Sequence, residues 1–584
     1  MKKSTRILAV LLCAGMLLSL LAACGSSSSD SEETSEETTE ETEETEETEE
    51  TEEETADEAE EASDEEEDTE TADAEEAEEV STDVDSSSLY PVFEELTTIT
   101  AFLSIAPWAS AYIGEDAEYE NAQAILTAEE YTNVHLEVTW SDPDTYNEKV
   151  LLLVAADDMP NITRSLDGLY STGHDGLIED GVCVDLMDYF EEYAPDYYAL
   201  LQSSETFLND TTSVNGATTA MYSYTEIPSY TRGPVVRQDM LDEIGASIPT
   251  TVEELHEVAL ELVNSGVVEA AIVSPKFVAD AYAGTDFISS NDVQMTWWVI
   301  DGEVTAAVTL DSNYEWALEM RQWNDEGLFE AEWYTPEASY DSWILNDELA
   351  MAFGPYSITS DATRATAADP DTCNIVPMAL VTLEEGDTIK TQEAVTGSRG
   401  DGDWCITTAD EDLIPQIVTY INWFFTEEGI MVSNFGIEGV SYEIDENGDV
   451  QYTDLILQDT GGYGSMAVYA IFTNNNDNPF YYKYERTSLT YDNEVETTVY
   501  DTWLSNITGE YIADYKMTME ESEAYSALAT DITTTIQEYM TKFMTGSMEL
   551  TEETWADFQE ILIDMGLEEM REIVQTAYDR TQAG

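Results

Sequence analysis

The sequence predicts an α/β fold of at least two lobes, preceded by a disordered N-terminal segment. Strand-like and helix-like stretches alternate after Ser88, which is typical of βαβ units and a mostly parallel sheet. About 495 residues follow Ser88, and this length exceeds what one hydrophobic core normally organises. Residues 25–88 consist almost entirely of Ser, Thr, Glu, Asp and Ala, which bury too little apolar surface to fold.

The first residues have the composition of a secretory signal. Basic residues precede an apolar run over 7–21, which is too short to span a bilayer because that needs about 20 apolar residues. The small residues before Cys24 resemble the lipobox of bacterial lipoproteins, which implies cleavage there and lipidation of Cys24. We therefore expect a signal peptide over 1–23 and a lipid anchor on the extracellular face of the cell membrane. An ordinary secretory signal with a chance cysteine is the alternative.

An acidic spacer follows the anchor cysteine. It contains repeated Thr-Glu-Glu units and no aromatic residue, and repulsion between like charges favours an extended chain. At about 3.3 Å per residue it could reach roughly 200 Å. We predict that residues 24–88 are the lipidated cysteine and a disordered acidic tether. A calcium-buffering or partner-binding acidic tail is the alternative.

The charge of the whole chain restricts its partners. The chain has 18 Lys and Arg against 127 Asp and Glu, a formal net charge of −109. Such a charge excludes nucleic acid as a partner and disfavours a strongly anionic ligand. Solubility in a saline or acidic exterior is the simplest interpretation, and a polycationic ligand is the sharper alternative.

The cysteines and histidines form no recognisable metal or disulfide motif. Cys183, Cys373 and Cys405 remain after the signal and the anchor are set aside, and the sequence has neither a CxxC pair nor His-rich spacing. The three histidines are far apart in the sequence, so we expect ordinary packed or surface residues. We predict no metal site and no cofactor, and leave a Cys373–Cys405 bond open.

Five elements are predicted at the start of the folded body. They are a strand over 98–106, a helix over 118–131, a strand over 134–140, a helix over 145–156 and a strand over 161–165. Further along, Thr251 and Glu254 predict a capping box at the start of an amphipathic helix. Later apolar stripes predict helices over 411–428, ending at Gly429, and before Gly566.

Five motifs occur in one order between about residues 95 and 580. They are Ala155–Ile162 (AADDMPNI), a segment over 177–195 that ends in Tyr-Ala-Pro, Val236–Gly245 (VRQDMLDEIG) followed by Pro249, Asn434–Tyr442 (NFGIEGVSY), and a closing segment over 543–580 that ends in Ala-Tyr-Asp-Arg. Together they resemble the family 1 extracellular solute-binding proteins of ABC importers, of the carbohydrate type. Within the third motif we interpret Arg237 and Asp239 as a structural ion pair or cap.

The resemblance implies a two-lobed, type II periplasmic-binding-protein-like fold whose lobes are joined by hinge strands. We place the hinge crossings near Tyr222–Pro228 and Val395–Gly402. The implied lobes are 89–227 with 400–442, and 228–399 with 443–584. In such a protein a ligand in the cleft drives hinge closure, and the resemblance implies that the closed form docks on the permease subunits.

Candidate ligand-binding residues follow from what sugar sites need, namely flat apolar faces and polar groups for the hydroxyls. Tyr356 stands in a Gly-Pro-aromatic turn that resembles the one supplying a stacking ring in sugar binders. The others follow predicted strands or lie near the second hinge. Since neighbours on a strand face opposite ways, at most one of Trp297 and Trp298 should face the cleft. The full set is Trp108, Arg164, Asp167, Tyr170, Trp297, Tyr356, Arg399 and Trp404.

The predicted function is ligand capture without covalent chemistry. The sequence contains no Gly-x-Ser-x-Gly, HExxH or P-loop motif, so we expect no enzyme. The resemblance implies a binding protein, which we expect to be a monomer that delivers a neutral oligosaccharide to an ABC permease. A peptide- or polyamine-binding lipoprotein is the alternative within binding proteins. A surface glycoside hydrolase or an adhesion lipoprotein is the alternative outside them, since paired acids cannot be judged from spacing.

Overall fold

A computed structural model of the chain describes most of the folded body. The described residues are 85–104, 123–226, 232–275, 277–278, 297–331, 333–334, 340–389, 397–398, 403–457, 473, 478–491, 493–507 and 515–583. Cys24, the tether up to residue 84, and the candidates Trp108 and Arg399 lie outside them. Across these ranges no helix combines the length and apolarity that a membrane crossing requires.

The strands are short and are spread over the whole body. In chain order they are β1 (Thr97–Ser104), β2 (Val134–Ser141), β3 (Ile162–Arg164), β4 (Ala220–Met221), β5 (Tyr224–Thr225), β6 (Arg232–Arg237), β7 (Trp297–Ile300), β8 (Glu303–Ala306), β9 (Met351–Pro355), β10 (Ile375–Pro377), β11 (Gly397–Ser398), β12 (Trp404–Ile406), β13 (Tyr442–Ile444), β14 (Val450–Tyr452) and β15 (Tyr481–Tyr482).

The helices make up most of the ordered structure. The α-helices are α1 (Gln123–Thr132), α2 (Pro143–Ala156), α3 (Leu166–Leu169), α4 (Gly173–Glu179), α5 (Met187–Tyr193), α6 (Pro195–Ser203), α7 (Glu205–Asp210), α8 (Gln238–Ile244), α9 (Val252–Ser265), α10 (Asp311–Asp325), α11 (Tyr340–Leu345), α12 (Asp361–Arg364), α13 (Ile414–Asn422), α14 (Glu427–Phe435), α15 (Asp454–Leu457), α16 (Glu485–Ser488), α17 (Val499–Leu504), α18 (Met519–Thr545), α19 (Glu552–Met565) and α20 (Leu567–Gln582). 3₁₀ turns occupy Ser87–Leu89, Ala307–Thr309, Tyr356–Thr359, Thr408–Leu413, Trp423–Phe425 and Glu496–Thr498. The segment Thr408–Leu413 is kinked at Asp410.

The predicted βαβαβ start of the body is confirmed where it is described. Strand β1 pairs in parallel with β2 and with β3, and the connecting helices are α1 and α2. The sheet has the order β2-β1-β3-β12-β4, and β12 is antiparallel to both of its neighbours. The sheet is therefore mixed, because β12 runs antiparallel between β3 and β4.

Two large hydrophobic cores give the body its two lobes. The first core contains buried residues from 99–224, 404–432 and 480–482. The second contains buried residues from 235–381 and 499–574. Each core takes residues from distant parts of the chain, so we name the lobe around the first core the first lobe and the other the second lobe.

A small three-stranded sheet lies at the predicted hinge crossings. Strand β5 pairs antiparallel with β11 and in parallel with β15, in the order β11-β5-β15. Strands β5 and β11 fall inside the two segments predicted as crossings. Strand β15 is a third chain passage that the sequence analysis did not identify, and we name these strands the hinge sheet.

Local sequence signals explain several helix ends. The capping box is confirmed: Thr251 accepts from the Glu254 backbone N–H and the Glu254 carboxylate accepts from the Thr251 N–H. The helix before Gly566 is also confirmed, with Trp555, Phe558 and Leu562 buried.

The prediction of one helix over 411–428 is wrong. Helix α13 begins at Ile414 with Pro415 in its first turn, where a missing N–H is tolerated. Thr426 then caps α14 by accepting from the Gly429 N–H at 3.1 Å. Gly429 therefore lies inside a helix rather than ending one, and a Cβ there would lie 1.8 Å from the Trp423 carbonyl oxygen.

The ion pair predicted at the start of α8 is confirmed. The Arg237 side chain is 2% exposed and donates through Nε and Nη2 to both carboxylate oxygens of Asp239, at 2.8 and 2.7 Å. Its Nη1 donates to Asp347 at 2.5 Å and to the Ile344 carbonyl at 2.9 Å. This buried guanidinium ties β6 to the end of α11.

The three cysteines of the folded body do not pair with one another in the described structure. Cys373 is buried in the second core, whereas Cys183 and Cys405 are buried in the first. The Cys373–Cys405 bond left open by the sequence is therefore not formed.

Candidate functional site

A groove rich in tyrosine lies directly after the third hinge strand. It has a volume of about 490 Å³ and is lined by Tyr484, Ser488, Tyr491, Asn493, Glu494 and Thr497. This volume falls within the range of about 300–1,000 Å³ that small-molecule sites occupy. Tyr484 follows β15 by two residues and stands at the start of α16, so one wall of the groove continues from the hinge sheet.

Tyr356 contributes a ring beside this groove. Its ring centroid lies 6.3 Å from that of Tyr491 and 6.2 Å from that of Tyr500. The preceding Gly354 permits the turn, because a Cβ there would lie 2.8 Å from Ile358. Burial raises the pKa of the Tyr491 phenol, which keeps its hydroxyl neutral and able to donate or accept.

Asn493 fixes the groove wall to the turn that carries Tyr356. Its Nδ2 donates to the Thr359 carbonyl at 2.9 Å. Its Oδ1 accepts from the backbone N–H groups of Val495 and Glu496 at 2.9 and 3.1 Å. The oxygen and the nitrogen of this amide are therefore both hydrogen-bonded to backbone groups. These bonds fix the groove wall relative to the aromatic cluster around Tyr356.

None of the groove-lining residues is a cation. Elsewhere, the described Lys and Arg side chains contact other protein groups. Those on carboxylates are Arg237, Arg321, Arg364, Lys483, Lys542, Arg571 and Arg580. Those on backbone carbonyls or hydroxyls are Lys149, Arg164, Arg232, Arg486 and Lys516. Among the described residues, Glu494 is the only charged one that lines the groove, so the described lining is neutral to acidic.

Two candidates predicted to face a ligand are buried in the cores. Trp297 is 2% exposed, and its indole N–H donates to the Tyr525 hydroxyl at 3.0 Å. Trp404 is fully buried and stacks on Tyr420 with ring centroids 6.4 Å apart. The neighbouring Trp298 is also 2% exposed. These rings pack inside the lobes, so we leave them out of the site proposed below.

The three candidates at and just after the end of β3 lie in the first lobe and are not among the residues that line the groove. Arg164 donates through Nη1 to the Ser104 carbonyl at 3.2 Å, and the Tyr170 hydroxyl donates to Asp180 at 2.5 Å. Asp167 accepts from the Tyr222 hydroxyl at 2.5 Å. Of the described candidates, Tyr356 is the one that packs beside the groove, through its ring contact with the lining residue Tyr491.

Sequence reasoning missed the residues that line the groove. Tyrosines 481, 482, 484, 491 and 500 are concentrated in one short segment without a helical apolar period, and this density was the available signal. Their meeting with Tyr356 depends on long-range packing that no local pattern encodes.

Comparison with solved structures defines the class of fold. The chain superposes on the alginate-binding protein AlgQ2 with a TM-score of 0.67, at 19% identity over 84% of this chain and 99% of that one. It superposes on FusA, an ABC-transporter substrate-binding protein of S. pneumoniae in complex with kestose, with a TM-score of 0.62, at 17% identity over 83% of this chain and 100% of that one. The chain has the two-lobed fold of ABC-transporter solute-binding proteins.

Two curated relatives match a smaller part of the chain than the solved structures do. The lipoprotein LipO of Bacillus subtilis (strain 168) is 22% identical over 358 residues, which are 57% of this chain and 66% of LipO. The polygalacturonan/rhamnogalacturonan-binding protein YtcQ of the same organism is 27% identical over 24% of this chain and 26% of YtcQ. The match spans less than two thirds of either relative. No family model matches the chain.

Proposed function

We propose that this chain is a lipid-anchored extracellular solute-binding protein that captures a neutral oligosaccharide by hinge closure and delivers it to an ABC permease. The observation that carries the proposal is the tyrosine groove beside the hinge sheet of a two-lobed fold. Tyrosine rings offer apolar faces to the C–H surfaces of sugars, and their hydroxyls satisfy sugar hydroxyls. Binding and release need no covalent step, so we propose a monomeric binding protein and not an enzyme.

The charge of the groove supports a neutral ligand over an anionic one. AlgQ2 and YtcQ are described as binding alginate and polygalacturonan or rhamnogalacturonan, whereas FusA is in complex with kestose. A uronate ligand needs cations, and the described residues that line this groove supply only Glu494 as a charged group. We therefore place the ligand with kestose-like neutral oligosaccharides.

A polyamine is the second candidate, because the net charge of −109 and Glu494 both favour a cation. A thermal-shift screen separates the candidates, since a ligand at a hundred times its Kd stabilises the folded state by about 2.7 kcal/mol. We expect shifts with neutral oligosaccharides such as kestose, and none with oligogalacturonate or spermidine. A rise in unfolding temperature with spermidine alone would favour a polyamine-binding protein and contradict the proposal.

Variants locate the ligand in the groove. We expect Tyr484→Ala and Tyr491→Ala to weaken oligosaccharide binding about tenfold or more, equivalent to at least about 1.4 kcal/mol each. Tyr334→Ala is the matched control, because Tyr334 is 46% exposed and does not line the groove. Equal affinities for all three variants would place the ligand elsewhere.

The lipid anchor has its own test. We expect the natural chain, expressed in a bacterium that processes lipoproteins, to incorporate labelled palmitate and to remain with the membrane. Cys24→Ser should remove the label and release the protein into the medium. Retention of the label in that variant would move the modification to another residue.

A further inference from the structure

A buried cluster of two carboxyl groups and one thiol lies in the first lobe. Oxygens of Asp167 and Asp403 and the Sγ of Cys405 all lie within 4.8 Å of one another. Asp403 is 4% exposed and Cys405 is fully buried, while the Asp167 side chain keeps 17% of its surface exposed. We name these three residues the acid–thiol cluster. Of the three, Asp167 is the one whose side chain is partly exposed to solvent.

The two carboxylates are held in place by hydrogen bonds from the surrounding loop and strand. The backbone N–H and the Oγ of Ser165 each donate to Asp403 at 2.7 Å. The Tyr222 hydroxyl donates to Asp167, whose other oxygen accepts from the Cys405 thiol at 3.2 Å. These hydrogen bonds hold the two carboxylates close together. In metal sites, hydrogen bonds of this kind orient the groups that bind the metal.

His174 belongs to this supporting shell. Its Nδ1 accepts from the Thr219 backbone N–H at 3.2 Å, so the ring proton of the neutral imidazole lies on Nε2. Nε2 faces Asp167 at 3.7 Å. With no lone pair directed at the cluster, His174 orients Asp167 and is not itself a ligand.

The buried hydroxyl of Thr163 is an independent indication that the cluster binds a ligand. It is directly paired with Cys405 across antiparallel strands β3 and β12, so both side chains project from the same face of the sheet at close range. Thr163 is fully buried, and its Oγ1 has no hydrogen-bond partner in the described part of the chain. A buried hydroxyl without a hydrogen-bond partner destabilises the folded state, and a ligand on this face would remove that cost.

We propose that the acid–thiol cluster binds a divalent transition-metal cation, with Asp167, Asp403 and the Cys405 thiolate as ligands and the Thr163 hydroxyl as the fourth. Binding breaks the S–H bond of Cys405, the proton leaves to solvent, and a metal–sulfur bond forms with no change of oxidation state. Thiolate together with carboxylate selects Zn²⁺ over Ca²⁺ and Mg²⁺, which prefer oxygen ligands only.

The geometry is close to what Zn²⁺ requires. Zn–S bonds of about 2.3 Å and Zn–O bonds of about 2.0–2.2 Å place neighbouring ligands of a tetrahedron about 3.5 Å apart. Asp167 and Cys405 already lie 3.2 Å apart, and no two ligand atoms of the cluster are more than 4.8 Å apart, so the widest separation must shorten by at most about 1.3 Å. No spacing motif reveals the site, because Asp167 in α3 and Thr163 in β3 meet Asp403 and Cys405, at the start of β12, only in the fold.

The test is a Co²⁺ titration of the chelator-treated full chain, because a cobalt–thiolate bond gives a near-ultraviolet charge-transfer band. We expect one equivalent to saturate the band, Zn²⁺ to displace it, and equal concentrations of Ca²⁺ or Mg²⁺ to leave it unchanged. Cys405→Ser should abolish the band. Cys373→Ser is the matched control, since Cys373 is buried in the other core, and should retain it.

Two further variants separate a metal site from a closed hydrogen-bond network. Thr163→Val keeps the shape of the side chain, and we expect it to weaken Co²⁺ binding about tenfold while leaving the metal-free protein folded. Asp403→Asn should lower the affinity further. A natural chain without the band, an equal band in Cys405→Ser, or equal Zn²⁺ stabilisation of Asp403→Asn and the natural chain would overturn the proposal. None of these outcomes depends on the oligosaccharide ligand.

Discussion

Tyr224 and Tyr481 pack ring to ring across two parallel strands of the hinge sheet, with ring centroids 5.1 Å apart. The Tyr481 hydroxyl also donates to Glu226 at 2.9 Å. The pair joins β5, inside the first crossing predicted from sequence, to the third passage of the chain. Because the groove-lining Tyr484 follows this passage by two residues, the same contact ties the hinge to the groove.

The ring contact should contribute more to stability than the hydroxyl does. Tyr481 is 7% exposed, so we expect Tyr481→Ala to lower the free energy of unfolding by about 3 kcal/mol. Tyr481→Phe keeps the ring and loses the bond to Glu226, which should cost about 1 kcal/mol. Urea unfolding measures both. Similar losses for the two variants would show that the hydrogen bond, and not the packing, holds the strands together.

A second prediction concerns the close approach of α17 to β6. A Cβ on Gly233 would lie 2.3 Å from the Trp503 ring, which is fully buried and donates from Nε1 to the Pro234 carbonyl at 2.9 Å. We expect Gly233→Ala to destabilise the protein by about 1–3 kcal/mol through overpacking. Thermal and urea unfolding measure the change.

Gly168→Ala is the control for that substitution. A Cβ on Gly168 meets nothing within 4 Å, and Gly168 lies in a helix, where alanine is favoured by up to about 1 kcal/mol. We expect this variant to be as stable as the natural chain or slightly more so. A loss equal to that of Gly233→Ala would mean that glycine itself, rather than the contact with Trp503, accounts for the effect.

The elements that the sequence predicted well are those whose signals are local. The strand–helix alternation up to Arg164 and the capping box at Thr251 depend on neighbours within a few residues. The two hinge crossings, which the resemblance implies, stay a prediction; strands β5 and β11 pair within the two predicted segments. A single helix over 411–428 was predicted because the apolar period continues across two separate helices. These are α13, which begins at Ile414, and α14, which Thr426 caps.

The candidate site was predicted less well because it depends on long-range packing. Trp404 and Trp297 have the residue type of a sugar-stacking ring, and only the fold shows that both are buried. Conversely, Tyr491 lies beside Tyr356 in a region where the Asn493 side chain donates a hydrogen bond to the Thr359 carbonyl. Aromatic residues near a hinge serve core and groove alike, so sequence cannot assign them individually.

The buried guanidinium of Arg237 leads to a third prediction. Removing one partner of a buried, bidentate ion pair leaves an uncompensated charge, which typically costs about 3–5 kcal/mol. We therefore expect Asp239→Ala to be strongly destabilising, although Asp347 still contacts the same side chain. Chemical unfolding of the purified variant measures the loss.

A double variant distinguishes the charge from the packing at this position. Arg237→Met with Asp239→Ala removes the buried charge together with its partner, so we expect a loss smaller than the sum of the two single losses. Additive losses would mean that the two residues act independently, and the ion pair would then not be the cause of the instability.

The last prediction concerns the pH dependence of stability at Asp196, which is 3% exposed. Burial raises the pKa of this carboxyl above its ordinary value of 3.8, against the opposing effect of hydrogen bonds that include the one from Asn422 Nδ2 at 2.7 Å. The folded state therefore holds the proton more tightly than the unfolded state does. The contribution of Asp196 to stability is complete below pH 3.8 and is lost as the pH rises through the raised folded-state value.

Asp196→Asn isolates this contribution, because asparagine keeps an acceptor for Asn422 and cannot ionise. We expect the free energy of unfolding of the natural chain, minus that of the variant, to decrease as the pH rises from below 3.8 toward neutrality. Urea unfolding of dilute samples at each pH measures the difference, and the subtraction cancels the titration of the other carboxylates. A difference that increases with pH would mean that the folded state stabilises the ionised carboxylate, so that its hydrogen bonds outweigh burial.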